Sequence, residues 1–168
     1  MVPTAPITDE LIHKSIVHAI QNVCNTMMKQ NVGFVEKTTE PINNGTASQS
    51  YIFGCVGFVG NIDGVVYLCI TDDFAMSAAS RILGMSPLEI KAEGDTVIKD
   101  VIGEITNMTV GGFKNALCDQ GYPCKLTLPT IVRGQNLSVS SIKGATRHIF
   151  HFDCDGHRII ADIQIKMG

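Results

Sequence analysis

A carboxylate and an amide stand three residues apart in the middle of the chain, at Glu104 and Asn107, and a second carboxylate, Asp100, precedes them. A carboxylate pairs with cations and accepts hydrogen bonds, while an amide both donates and accepts them. In a helix, residues three and four positions apart lie side by side on one face. Because such pairs are common on solvated helix faces, the spacing alone is a weak indication of function.

These side chains belong to a stretch, Asp95 to Asp119, whose apolar residues recur at the spacing of an amphipathic helix. The face expected to be buried and the face expected to be exposed lie on opposite sides of that helix. The pattern predicts that the buried face holds Ile98, Ile102, Ile105, Thr109, Gly112 and Ala116, and that the exposed face holds Asp100, Glu104, Asn107 and Gly111.

The residue types on this helix are unusual for a solvated surface. Asn costs about 0.5 kcal/mol and Gly about 1 kcal/mol relative to Ala in a helix interior. Yet the segment contains Asn107 and three glycines, Gly103, Gly111 and Gly112. We therefore predict that another surface approaches this helix closely.

The composition is that of a well-filled globular chain. Of the 168 residues, 45% are hydrophobic and 17% are charged, which is enough to build a core and argues against disorder. The net charge of -3 gives no basic patch for nucleic acid or for an anionic membrane. The longest apolar runs are of strand length, so we expect no membrane insertion.

The N-terminal sequence has no basic start followed by an apolar run, so we expect no signal peptide and a cytoplasmic location. The six cysteines form no CxxC pair, and most lie in apolar periodic segments. Reduced, buried thiols are therefore expected.

Helix and strand patterns predict a single α+β domain over residues 1–168, with 1–7 as a flexible N-terminus. We expect two loosely repeated halves, each a helix followed by three strands, which form a mixed or antiparallel sheet of about six strands with two long helices. The predicted helices are 9–30, 74–83 and 95–119, with a connector at 86–94. The predicted strands are 34–40, 51–59, 65–70, 125–132, 145–154 and 157–166, with polar loops at 43–50 and 136–144.

Two other groups of residues are better explained by a structural role than by a metal site or a phosphate loop. The segment 147–158 is rich in His, Cys and Asp, but strand alternation puts His148 and His151 on opposite faces. A β-hairpin therefore explains the segment better than a metal site. Three glycines inside strand-like sequence lack the Lys-Ser/Thr of a phosphate loop, and they indicate close backbone approach or bulges in a sheet: Gly54, Gly57 and Gly60.

The motif Asp100-x3-Glu104-x2-Asn107, set in the stretch GEITNM (103–108) and followed by Gly111-Gly112, resembles the signature helix of the CheC/CheX/FliY family of chemotaxis phosphatases. The predicted helix ending in RILGM (81–85) and the two similar halves extend this resemblance over nearly the whole chain. A single intact signature and a compact length are closer to CheX than to CheC, which typically has two.

The resemblance implies a phosphatase that acts on the aspartyl-phosphate of a CheY-like receiver domain. Asn107 is then the residue that enters the partner's active site and holds the attacking water in line with phosphorus. Glu104 is implied to pair with the phosphate-contacting lysine of the receiver. The Mg²⁺ belongs to the receiver, so no cofactor or metal is expected in this chain. CheX-type proteins are homodimers that pair through their sheets, and the same is expected here.

Four further residues are expected to bind the partner. Asp100 occupies the first motif position, and Gly103 lies within the motif. Gly111 follows one turn after Asn107, where the lack of a side chain gives a partner room. Lys114 flanks the same stripe, although a solvated lysine is the alternative interpretation there.

The first predicted helix contains a related register, Ser15-x3-Ala19-x2-Asn22, in which Ala19 takes the place of the glutamate. If the two halves are related, the first site has lost its carboxylate. The alternative is that Ser15 and Asn22 are ordinary polar helix positions.

Two other functions stay open at the level of sequence. One is a non-catalytic receiver-binding module of the same fold, as in the related flagellar switch proteins. The other, an unrelated small-ligand sensor, has no residue constellation in its favour.

Overall fold

The computed structural model describes residues 6–39 and 49–167. Within these residues the predicted α+β fold is confirmed: the helices cover one face of an antiparallel sheet of seven strands. The predicted loop 43–50 and the predicted flexible N-terminus lie mostly outside the described residues. The helices are α1 (Asp9–Met28), α2 (Asp72–Leu83), α3 (Pro87–Glu93) and α4 (Asp95–Asp119). The strands are β1 (Gly33–Thr38), β2 (Ser50–Gly60), β3 (Ile62–Thr71), β4 (Cys124–Leu126), β5 (Thr130–Gln135), β6 (Thr146–Cys154) and β7 (His157–Met167).

The sheet confirms the predicted repeat of two halves. Its strand order is β1-β6-β7-β3-β2-β4, and β5 continues the β4 edge by pairing with β2. If β4 and β5 count as one edge strand, the order stays the same when the halves are exchanged and the sheet is read from its other edge. A pseudo-two-fold axis therefore passes between β3 and β7. It relates α1, the helix that begins the first half, to α4, the helix that begins the second.

Two predicted elements are wrong. The connector at 86–94 is mostly the helix α3, in which Ser86 and Glu89 form a reciprocal capping box and Pro87 takes the first helical position. The strand predicted at 125–132 is divided into β4 and β5, because its middle leaves the ladder. The predicted hairpin at 147–158 is confirmed by the pairing of β6 with β7.

The face of the sheet away from the helices is partly covered by the segment 136–144. Arg147 forms a buried ion pair with Asp162, with 2.6 Å between Nη2 and Oδ2, and also donates to the carbonyl oxygen of Val139 at 2.9 Å. Gln164 donates to the carbonyl oxygen of Ser140 at 3.0 Å. The prediction of a loop is confirmed here, and two strand side chains hold its backbone against the sheet.

The helix α4 packs very closely on β2. A Cβ added at Gly54 would lie 2.1 Å from the hydroxyl oxygen of Thr106, so only glycine fits beneath the helix there. The Thr106 hydroxyl donates to the carbonyl oxygen of Ile102 at 2.7 Å within the same helix. Close backbone approach was the interpretation of this glycine from sequence, and the structure confirms it.

The buried face of α4 is broader than predicted and is turned toward Thr106. Four of the predicted residues are buried, but Gly112 is exposed and Ala116 is half-buried. The additional buried residues are Val101, Gly103, Thr106, Val110, Phe113 and Leu117. This face fixes which side chains of the helix point outward.

Candidate functional site

An open cleft of about 440 Å³ lies between α4 and the interrupted edge of the sheet. Four of the sequence-predicted site residues form its α4 wall: Asp100, Gly103, Glu104 and Asn107. The opposite wall consists of residues at and just after the interruption: Leu128, Pro129 and Ile131. The carboxylate and amide predicted to act together therefore do share one concave surface.

The interruption of the edge strand is a bulge. Leu126 pairs with Phe58 and Thr130 pairs with Cys55, so three residues of the edge face two of β2. Thr127 holds the start of the bulge, because its backbone N–H donates to the carbonyl oxygen of Gly57 at 2.8 Å. Pro129 follows, and its nitrogen has no hydrogen to contribute to the ladder. The bulged residues Leu128 and Pro129 therefore lie opposite the motif residues of α4.

Glu104 is exposed and Asn107 is half-buried. Among the described residues, neither side chain makes a hydrogen bond or an ion pair with another group of the chain. A carboxylate and an amide with free hydrogen-bonding capacity are therefore available to a partner at the cleft.

The charges around the cleft leave its α4 wall acidic. Lys99 also lines the cleft, and its ammonium group lies 3.1 Å from the carboxylate of Asp95. Arg133 bonds the same carboxylate and also donates to Asp72 at 2.9 Å. The hydrogen bond from Arg133, followed by the one from Lys99, lowers the pKa of Asp95 below its ordinary value. The two nearby cations are thus engaged by Asp95 and Asp72, whereas Asp100 and Glu104 are exposed without such a partner.

Of three further residues predicted to bind the partner, one lies in the cleft and two lie outside it. Gly103 is buried at the base of the cleft, where Ile131 would touch an added Cβ at 3.8 Å. Gly111 and Lys114 are half-buried and do not line the cleft. The space at Gly111 is limited by Leu126, which is 3.9 Å from an added Cβ. A direct role of these three residues in binding a partner stays a prediction.

The second wall of the cleft was not predicted from the sequence. Leu128 is 88% exposed, the highest exposure of any large hydrophobic residue in the described chain. The signal that could have found it is Pro129, since a proline within a strand pattern indicates an edge strand or a bulge. The wall itself could not be predicted, because its distance from α4 depends on how the sheet is paired.

The related register in the first helix does not form a second site. Ser15 and Ala19 are buried, and Ala19 lies against α4, 3.3 Å from where a Cβ of Gly112 would be. The burial pattern of α1 matches that of α4 when Ser15 corresponds to Val101 and Ala19 to Ile105. The predicted correspondence is therefore one residue out of phase. The exposed positions of α1 that correspond to Asp100, Glu104 and Asn107 are Lys14, His18 and Gln21.

Other reactive groups are in structural positions. All six cysteines are free, and four of them are buried. Burial raises the pKa of Cys24 to about 12 and that of Cys124 to about 11, so both thiols are protonated at neutral pH.

The described residues contain no cluster of His, Cys, Asp or Glu arranged to hold a metal ion. No helix within the described ranges has the length and apolar character needed to cross a membrane.

Three solved structures illustrate the similarity of this fold to known proteins. A CheC-like superfamily protein from Shewanella sp. PV-4 is 22% identical, with 95% of this chain and 99% of that chain covered and a TM-score of 0.80. The chemotaxis protein CheX from Vibrio vulnificus is 20% identical, with 92% and 99% covered and a TM-score of 0.77. The CheX–CheY–BeF3–Mg²⁺ complex from Borrelia burgdorferi contains a chain that is 21% identical, with 92% and 97% covered and a TM-score of 0.72. These similarities define a CheC-like fold.

The family is shown by the sequence itself. The family model for the chemotaxis phosphatase CheX matches residues 52–153, a range that includes all of α4 and both walls of the cleft. The chain belongs to the CheX family of chemotaxis phosphatases. No curated protein sequence matches it.

Proposed function

We propose that this protein hydrolyses the aspartyl-phosphate of a CheY-like receiver domain. The observation that carries the proposal is the pair Glu104 and Asn107, which share one cleft wall and have no partner within the described chain. Membership of the CheX family and the solved complex of a CheX with CheY support the choice of substrate.

Asn107 has the chemistry needed to orient water. Its amide donates to the water oxygen or accepts from a water hydrogen, and it does so without changing protonation state. As the water oxygen bonds to phosphorus, the bond from phosphorus to the aspartyl oxygen breaks, and phosphate leaves with the carboxylate restored. Phosphoryl transfer depends mainly on positioning and charge stabilisation, and an amide inserted from another protein supplies positioning. The Mg²⁺ that balances the phosphate charge belongs to the receiver.

Glu104 has the charge needed to dock the receiver. An exposed carboxylate without a cation of its own attracts the lysine that contacts the phosphate in a receiver. Asp100 lies on the same wall and adds to the negative potential. In this proposal Glu104 aligns the two proteins and Asn107 acts on the water.

The test is release of phosphate from a receiver domain phosphorylated with a small phosphodonor in the presence of Mg²⁺. The wild-type protein is expected to accelerate the release, and Asn107→Ala is expected to lose that acceleration. Equal rates for the two proteins would contradict the mechanism. Tight binding of the phosphorylated receiver without faster release would instead favour a non-catalytic binding module.

We also propose that the protein is a homodimer that pairs through its sheet. Two exposed apolar side chains of the sheet support this: Val59 on β2 is 57% exposed, and Val132 on the edge strand β5 is 47% exposed. Light scattering on the purified chain tests the proposal. A monomeric mass at micromolar concentration would contradict it.

A further inference from the structure

Leu128 projects from the bulge beside the proposed site. It is 88% exposed, although both of its neighbours are held in place. Thr127 exchanges two hydrogen bonds with Gly57, donating from its N–H at 2.8 Å and accepting at its hydroxyl at 2.9 Å. Pro129, on the other side, has a fixed φ angle. The leucine is therefore presented by a restrained backbone and not by a free loop end.

A second apolar surface lies on the other side of the acidic stripe. A depression of about 370 Å³ shares Asp100 with the first cleft, and its other lining residues are four apolar ones and one carboxylate: Leu83, Met85, Val97, Val101 and Glu93. Leu83 is 43% exposed. Asp100 thus lies between two largely apolar surfaces, one from the edge strand and one from the end of α2 and the start of α4, and Glu104 lies beside it in the first cleft.

This arrangement matches a partner with a cation beside apolar side chains. The carboxylates have no cation of their own in the described chain, since Lys99 and Arg133 are bound to Asp95. Apolar residues around a charged contact exclude water from it, and this strengthens the attraction between the charges. A single exposed leucine on a surface means little by itself. Here it forms the wall of the same cleft as Glu104 and Asn107.

We infer that Leu128 is a specificity-determining contact that packs against the receiver domain next to its active-site lysine. This inference rests on the proposed function, because it takes the receiver as the occupant of the cleft. In this inference Leu128 contributes to binding, because it buries apolar surface in the complex. It takes no part in the attack of water, which Asn107 orients. Receivers that offer an apolar side chain at this place are bound, and those with a charged one are disfavoured.

The experiment compares Leu128→Ser, Leu128→Met and Val35→Ser with the wild type. Val35 is 47% exposed on β1, the strand at the opposite edge of the sheet, and is the matched control. Binding to receiver domains loaded with beryllofluoride and Mg²⁺ gives Kd, and phosphate release over a range of receiver concentrations gives KM and kcat separately. Light scattering on each variant gives the oligomeric mass.

We expect Leu128→Ser to raise Kd and KM by roughly tenfold, from the apolar area that it removes, with kcat within about twofold of the wild type. Leu128→Met and Val35→Ser are expected to behave as the wild type. Unchanged Kd and KM in Leu128→Ser would overturn the inference. A change of oligomeric mass in that variant would also overturn it, because the occupant of the cleft would then be a second copy of this chain.

The same measurements separate this inference from the proposed function. If the wild type accelerates phosphate release and Leu128→Ser matches it, the function stands and the inference fails. If the wild type binds the loaded receiver through Leu128 without accelerating release, the inference stands and the phosphatase proposal fails. Absence of any binding to the loaded receivers overturns both.

Discussion

The two halves of the molecule share one architecture and differ in what they present to solvent. At positions that correspond by burial, α1 exposes Lys14, His18 and Gln21, whereas α4 exposes or half-exposes Asp100, Glu104 and Asn107. Lys14 is already paired with Glu10 of its own helix at 2.8 Å. Asp100 and Glu104 of α4 have no such partner among the described residues. Gln21 donates to the carbonyl oxygen of Val32 at 3.4 Å. Two of the three α1 side chains therefore have partners within the chain, whereas the three corresponding side chains of α4 have none among the described residues.

The surroundings of the two helices differ as well. Beneath α1 the facing strand β6 carries Phe150 and Phe152, both fully buried, while α4 rests on Gly54. At the edge near α1, the ring of Phe34 lies 4.5 Å from the ring of His13. At the edge near α4, the bulge leaves the cleft open. The cleft is therefore formed jointly by the motif face of α4 and the interrupted edge strand.

Reversing the charge at Glu104 is the strongest test of this difference. Glu104→Lys places a cation where the account requires an anion to meet the lysine of the receiver, so kcat/KM for phosphate release is expected to fall roughly 100-fold. His18→Lys is the matched change on α1 and is expected to leave kcat/KM unchanged. Equal losses in both variants would remove the distinction between the halves.

The next largest effect is expected on stability, where α4 packs closely on the sheet at Gly54. Gly54→Ala forces a Cβ against Thr106, so we expect the free energy of unfolding to fall by about 1–3 kcal/mol. The double variant with Thr106→Ala should recover part of that loss, because the closest atom is the hydroxyl oxygen. Gly33→Ala on β1, where an added Cβ meets nothing within 4 Å, is the control and should be close to neutral in a urea titration.

The smallest effect is expected on stability, when alanine replaces either of two adjacent glycines of α4. At Gly111 an added Cβ has ordinary contact with Leu126, so Gly111→Ala is expected to stabilise the protein by up to about 1 kcal/mol through helix propensity. It should also weaken receiver binding if the partner approaches this face. At Gly112 the Cβ meets Ala19 of α1 at 3.3 Å, so the gain in stability should be smaller. Thermal unfolding of both variants measures the two gains, and a larger gain at Gly112 would contradict this account.

Much of the fold was predictable from local signals. The bounds of α4 and the hairpin β6–β7 follow from periodicity and turn residues. Periodicity alone indicates the repeat of two halves only loosely, and the strand order makes it clear. The helix α3 was also visible in principle, since Ser86, Pro87 and Glu89 form a complete start signal. The division of the edge strand was readable from Pro129 alone, although the register against β2 was not.

The site was predictable only in part. Glu104 and Asn107 could be named from the motif, and their shared face from helical spacing. The correspondence between α1 and the motif of α4 was predicted one residue out, because Ser15 and Ala19 are small enough to fit either a buried or an exposed position. Leu128 could not be assigned a role, since its place opposite Asn107 depends on pairing between segments far apart in the chain.

The central claim is that the amide at Asn107 in the second half, and not its counterpart in the first, performs the chemistry. The direct measurement is single-turnover phosphate release from a phosphorylated receiver with Asn107→Ala and Gln21→Ala, each at a saturating concentration. The account predicts that Asn107→Ala reduces the rate to that of the receiver alone, a loss of roughly 100-fold or more, while Gln21→Ala equals the wild type. A wild-type rate in Asn107→Ala would contradict it.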